Sequence, residues 1–170
     1  MYIFFKKNMF METWDLYTKN GEKIGQTIER GKVLPANTYH IVIHFWIKNS
    51  VGDYLIQKRS EKASSQQHLW ANTGGSAMSG ETSLQALARE SREEIGYKVP
   101  INEVKRIRRY IKNDSLIDIY LLEKDVLLNE CEIGDEVSEI RYASQKDIEL
   151  LRETGQFWAL DDDYFDFIFS

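Results

Sequence analysis

Three glutamates, Glu90, Glu93 and Glu94, stand three and four residues apart in a stretch that reads as helix, so their carboxylates crowd one side of it. Such groups repel one another. They also lie near the helix C-terminus, where the macrodipole disfavours negative charge. Helix stability alone gives no reason for the cluster, but a divalent cation does. Mg²⁺ is a hard ion that takes carboxylate oxygens and keeps water ligands that phosphate oxygens can replace. Mn²⁺ suits the same oxygen set. Arg89, four residues before Glu93, can hold a carboxylate in its fork of N–H donors. A solvated helix face can carry acids too, so the surrounding sequence has to decide.

The element that positions these groups is a helix over Ser83–Ile95. Thr82 and Gln85 have capping-box spacing at its start. Leu84, Leu87, Ala88, Ser91 and Ile95 recur at helical spacing and are expected to face the core, opposite the carboxylates. Gly96 can end the helix in the left-handed conformation. Ahead of it, Leu69–Thr73 reads as a short strand and Gly74-Gly75 as a turn. Further upstream, Glu12–Lys19 and Ile24–Ile28 form a hairpin around Asn20-Gly21, within an N-terminal segment 11–35. Tyr39–Lys48 is rich in β-branched and aromatic residues and reads as a central strand, with Tyr54–Lys58 returning from it. Downstream, Val104–Lys112, Leu116–Glu123 and Val137–Tyr142 read as strands. Ser144 caps a helix over Asp147–Glu153, and Asp161–Phe169 is a short aromatic helix. Mixed order with more strands than helices is an α+β pattern.

The stretch from Gly75 to Gly96 resembles the Nudix box, G-x5-E-x7-R-E-U-x-E-E-x-G-U. Gly75, Glu81, Arg89, Glu90, Glu93, Glu94 and Gly96 fall at its fixed positions. The two bulky aliphatic positions hold Ser91 and Tyr97 instead, departures that concern packing rather than metal chemistry. Upstream, Trp14-Asp15-Leu16-Tyr17, Tyr39-His40, Leu55–Ser60 and Leu69-Trp70 resemble the branch similar to isopentenyl diphosphate isomerase. The resemblance implies a single Nudix domain over 1–170, an α/β/α sandwich with a mixed sheet, and the box as a loop-helix-loop. It implies metal on Glu90, Glu93 and Glu94 with the carbonyl of Gly75, and Glu81, Arg89 and Gly96 as structural support of the box. The implied reaction is hydrolysis of a phosphoanhydride in a nucleoside-diphosphate-linked or related pyrophosphate compound. Glu93 is the first choice for general base, and Glu136 in a later loop is the second.

Isomerisation is the rival within the same fold. That branch needs a cysteine and a metal-binding histidine just after a Trp-x-Asn segment, but here Trp70-Ala71-Asn72-Thr73 runs into Gly74-Gly75-Ser76-Ala77, and Cys131 lies far along the chain. A nucleotide-binding regulatory module without turnover is a third reading, against which the full set of box carboxylates argues.

His40 and His44 point to one face of their strand. They read as core or pocket histidines rather than a metal pair, with His40 a candidate for the substrate pocket. Lys58 and Arg59 alternate faces, so Arg59 is a second pocket candidate. Arg106, Arg108 and Arg109 read as a charged sheet face.

The bulk numbers bound the rest. The 170 residues are 42% hydrophobic and 29% charged, with a net charge of −5, which argues against nucleic acid as a partner. No apolar run is long enough to span a bilayer, and Met1–Phe10 lacks a secretory cleavage site. Residues 1–10 are expected to be a disordered or extra N-terminal extension, with Met9 and Met11 as alternative starts. One cysteine fits a reducing cytoplasm, and the N-terminal hairpin offers an edge for a homodimer.

Overall fold

The computed structural model describes residues 11–158 and 160–170. The expectations for residues 1–10 lie outside that range. Strands β1 (Thr13–Tyr17) and β2 (Lys23–Glu29) pair antiparallel as the N-terminal hairpin. The main sheet is built on β3 (His40–Lys48), which turns into β4 (Tyr54–Arg59). The short β5 (Trp70–Ala71) and β6 (Thr73–Ser76) precede α1 (Ser83–Ile95). Then come β7 (Lys105–Lys112), β8 (Ser115–Glu123), β9 (Val137–Ala143), α2 (Gln145–Glu153) and α3 (Asp162–Phe169).

The sheet is mixed. β8 runs parallel to β3 without a slip, from His40 opposite Ser115 to Lys48 opposite Glu123. β7 closes that side antiparallel to β8. The other edge of β3 is divided between the turn into β4 and antiparallel β6, and β4 in turn carries β5 and β9.

Period-two alternation along β3 sorts its side chains between two cores. Ile41, Ile43, Phe45 and Ile47 pack with Ala86, Leu87 and Ile95 of α1. Trp46 points the other way, into Ile148 and Leu151 of α2 and Tyr164, Phe165 and Ile168 of α3. The result is the expected α/β/α sandwich. Among the described residues no helix is long and apolar enough to cross a membrane.

Local signals in the sequence are realised as written. Thr82 Oγ1 accepts from the Gln85 N–H at 3.2 Å, and Gln85 Oε1 accepts from the Thr82 N–H at 2.8 Å. Gly96 takes φ +64°, and its N–H donates to Arg92 O. A Cβ there would also strike the backbone of Glu132.

Two expectations are corrected. Gly74-Gly75 is not a turn but part of β6, with Gly74 opposite His44 and Gly75 opposite Ile43. Glycine is required at Gly74, where a Cβ would collide with the Ile43 backbone carbonyl, and at Gly75 a Cβ would displace the Glu90 carboxylate. The core face of α1 is also rotated from the one expected. Leu84 is exposed, while Ala86 and Glu94 are buried beside Leu87, Ser91 and Ile95. Glu94 thus departs from the solvated side on which helical spacing put it. The sheet wraps round the end of the helix and supplies Arg59 and the Gly74 N–H to meet it.

Candidate active site

A cleft of about 850 Å³ opens between the box, the hairpin and the end of the sheet. Gly75 from β6 and Glu90, Glu93 and Glu94 from α1 line one part of it, with Arg59, Arg89 and Glu136. The geometry is organised by Arg89. Its Nε and Nη2 donate to the two oxygens of Glu81 at 2.7 and 3.0 Å, and Nη2 also reaches Ser76 O at 3.0 Å. Nη1 donates to Glu90 at 2.7 Å and to Glu93 at 3.2 Å. One guanidinium thus joins loop and helix. Glu81 closes the loop by accepting from the Met78 N–H at 2.9 Å.

Glu94 is the buried member of the set. It accepts from the Gly74 N–H at 3.0 Å and lies 3.7 Å from Arg59. Arg59 is itself fixed, with Nε donating to Ser65 O at 2.8 Å and Nη2 3.8 Å from Glu136. Glu136 is brought to the cleft by the segment before β9, which also caps α1. The Glu132 and Gly134 N–H groups donate to the carbonyls of Ile95 and Glu94 at 2.9 and 3.0 Å.

Burial pushes the Glu90 carboxyl up to about 7, against the pull of Arg89 and with help from Glu93 and Glu136. Burial, and then the charge of Glu90, push Glu94 up to about 8. Burial makes both carboxylates resist ionisation even with Arg89 and Arg59 beside them, so added positive charge would favour their ionised forms. The donor set is all oxygen, and the Glu90 carboxylate lies where a Cβ on residue 75 would be. A hard divalent ion fits this set. The fit is not a finished cage: among the described residues no three His, Cys, Asp or Glu side chains converge as metal ligands. Arg89 holds the Glu90 and Glu93 carboxylates in this structure.

The two histidines part company. His44 lines the cleft. His40, the expected pocket residue, does not: it stacks on Trp14 with ring centroids 4.0 Å apart, and its Nε2 lies 3.1 Å from Ser115 Oγ. Trp14 occupies the cleft side in its place. Of the basic pair, Arg59 faces the cleft and Lys58 sits over the Trp70 ring. The arginines of β7 do not form the single charged sheet face expected, because they divide between the two sides of the sheet. Arg109 and Arg106 pair with the buried Asp118, and Arg108 lies over Phe167.

Two features escaped sequence reasoning. Trp14, Trp158 and Arg30 line the cleft although they come from β1, the segment before α3 and the residue following β2. Asp15, nearly buried, fastens the hairpin to the box loop by accepting from Ser79 Oγ at 3.0 Å and the Gly80 N–H at 2.7 Å. Burial alone would raise its carboxyl, but Lys23, Gly80 and Ser79 hold it below the usual range. An acidic residue between Trp14 and Leu16 on a strand with a buried face was the available signal.

A mixed sheet between helices, with an arginine-braced, carboxylate-rich loop and helix opening on a cleft, defines a hydrolase of the Nudix type. The NUDIX domain family profile matches residues 38–161, and the chain belongs to that family. It is 36% identical over 149 residues to an uncharacterized Nudix hydrolase of Listeria monocytogenes, covering 86% of this chain and 88% of that one. Its fold is similar to DR0079 from Deinococcus radiodurans, with a TM-score of 0.73 at 22% identity over 92% of this chain and 97% of that one. It is also similar to a bifunctional NMN adenylyltransferase/ADP ribose pyrophosphatase from Francisella tularensis, solved with AMP and a Mn ion. There the TM-score is 0.56 at 20% identity, covering 76% of this chain and 40% of that one.

Proposed function

We propose that the protein hydrolyses a phosphoanhydride bond in a nucleoside-diphosphate-linked or related pyrophosphate compound, with Mg²⁺ or Mn²⁺ as cofactor. The observation that carries this reading is the meeting of Glu90, Glu93, Glu94 and Gly75 in the same cleft as Arg59. Glu90, Glu94 and the Gly75 carbonyl would hold the ion, with Glu93 beside them. When bound, it screens the diphosphate and lowers the pKa of a water. Arg89 keeps Glu90 and Glu93 from drifting apart, and Arg59 offers the cleft a fixed positive charge. Glu93 is more than half exposed on the cleft side and takes the proton from the attacking water. Glu136, also exposed and 3.8 Å from Arg59, is the alternative base. The Francisella protein's AMP and Mn ion favour a nucleotide and a divalent cation here too.

Isomerase chemistry lacks its acid. The positions where that branch would carry a cysteine and a histidine lie in β6 and the residue after it and hold Gly74–Ala77, and Cys131 does not line the cleft.

The test is phosphate or pyrophosphate release from a panel of nucleotides and other diphosphates, with Mg²⁺ and with EDTA, beside Glu93→Gln and Glu94→Gln. Metal-dependent release that collapses in both variants supports the reading. Release that persists in EDTA or in both variants refutes it.

A further inference from the structure

His44 lines the cleft although it is almost wholly buried, and its ring is held by a contact outside the box. Its Nδ1 lies 2.8 Å from the hydroxyl of Tyr164 on α3. The same hydroxyl accepts from the Trp46 Nε1–H, also at 2.8 Å. An indole nitrogen only donates, so one acceptor position of the Tyr164 oxygen is taken. Tyr164 is fully buried, and its own O–H needs an acceptor inside the protein. His44 Nδ1 is the one in reach among the described residues. Tyr164 therefore donates, Nδ1 accepts, and the imidazole proton sits on Nε2. Burial pushes the ring's pKa down to about 3, so it stays neutral. The ring offers a donor of fixed polarity. Two indoles line the same cleft. Trp14 is held flat against His40, and Trp158 packs at 5.9 Å from His44.

We propose that His44 is a specificity-determining residue whose Nε2–H donates to an acceptor atom, a carbonyl oxygen or unprotonated ring nitrogen, on the nucleobase of the substrate. Tyr164 is the positioning residue that fixes the tautomer. The inference rests on the nucleotide reading of the cleft and sharpens it. A planar heterocycle with an acceptor edge satisfies both the indoles and the N–H. An isoprenoid chain leaves the N–H without a partner, and sites built to hydrogen-bond discriminate most strongly against ligands that cannot.

The test is calorimetric binding of AMP, CMP and inorganic pyrophosphate, in Mg²⁺, to the wild type and to His44→Phe, His44→Gln and Tyr164→Phe. His44→Phe is expected to weaken binding of at least one nucleotide about tenfold, the worth of one enclosed neutral hydrogen bond, and to leave pyrophosphate unchanged. His44→Gln keeps a side-chain N–H and restores part of the loss. Tyr164→Phe frees the tautomer and falls between wild type and His44→Phe. The pyrophosphate affinity serves as the check on folding. The proposal is overturned if neither nucleotide binds, if His44→Phe binds both as the wild type does, or if nucleotide and pyrophosphate affinities fall together. Hydrolysis is read separately, by phosphate release: lost turnover with the selective binding loss intact refutes the reaction and leaves this assignment standing.

Discussion

Arg89 and Glu81 make a two-point contact across the turn between β6 and α1, with Nε to Oε1 at 2.7 Å and Nη2 to Oε2 at 3.0 Å. The same guanidinium neutralises Glu90 and Glu93, so it carries structural and electrostatic load together. Lysine has the charge without the planar fork. Arg89→Lys should lower stability by about 1.5–3 kcal/mol, the scale of lost hydrogen bonds to a charged partner. Urea denaturation measures this, and a loss below about 0.5 kcal/mol, the usual scale of an exposed pair, would contradict the role.

The two candidate bases make separable predictions. Glu93→Gln should reduce kcat by about 10²–10⁴, the usual worth of a placed general base. Glu136→Gln should cost less than about tenfold, because its carboxylate meets Arg59 only at long range. Steady-state kinetics at saturating Mg²⁺ reads both. The reverse order of effects would assign the base to Glu136.

The raised carboxyls of Glu90 and Glu94 set a pH dependence with a definite sign. Their folded values, about 7 and about 8, lie above the unfolded value of 4.5. The folded state therefore binds more protons than the unfolded state between those limits, and stability is lost as pH rises through the folded values. His40 and His44, both lowered, act in the opposite sense but only below about pH 6.5. From pH 6.5 to 8.5 the metal-free protein should lose on the order of 2 kcal/mol. Mg²⁺ should flatten the curve, since binding displaces those protons. Denaturant titrations with EDTA and with Mg²⁺ across this range provide the check, and a metal-free curve that rises with pH would refute it.

Asp15 gives the hairpin a mechanical part in the site. Asp15→Ala removes the acceptor for Ser79 and Gly80 and the partner of Lys23 at 2.7 Å. Loss of buried charge-assisted bonds of this kind costs about 1.5–3 kcal/mol. The freed box loop should also raise the Mg²⁺ concentration needed for half-maximal rate. Unchanged Mg²⁺ dependence with lowered stability would mean that the hairpin braces the fold but not the loop.

Helix capping by Thr82, the left-handed end at Gly96 and the helical spacing of the box glutamates are short-range properties. Backbone sterics and a 3.6-residue period settle them within a few neighbours, so the sequence alone determined them, and with them the family. The β-branched and aromatic run of β3 likewise marked it as a central strand, while its division between two cores came from the layers that pack on it. Other features depended on which distant segments meet. Glu94 is buried because β4 brings Arg59 and β6 brings the Gly74 N–H to it. Gly74-Gly75 becomes strand because β3 offers an edge there. His44 rather than His40 reaches the cleft, because Trp14 from the hairpin covers one and Tyr164, 120 residues away, holds the other. Strand register and layer packing select those partners. The contacts join residues far apart in the chain, so no local period in the sequence encodes them.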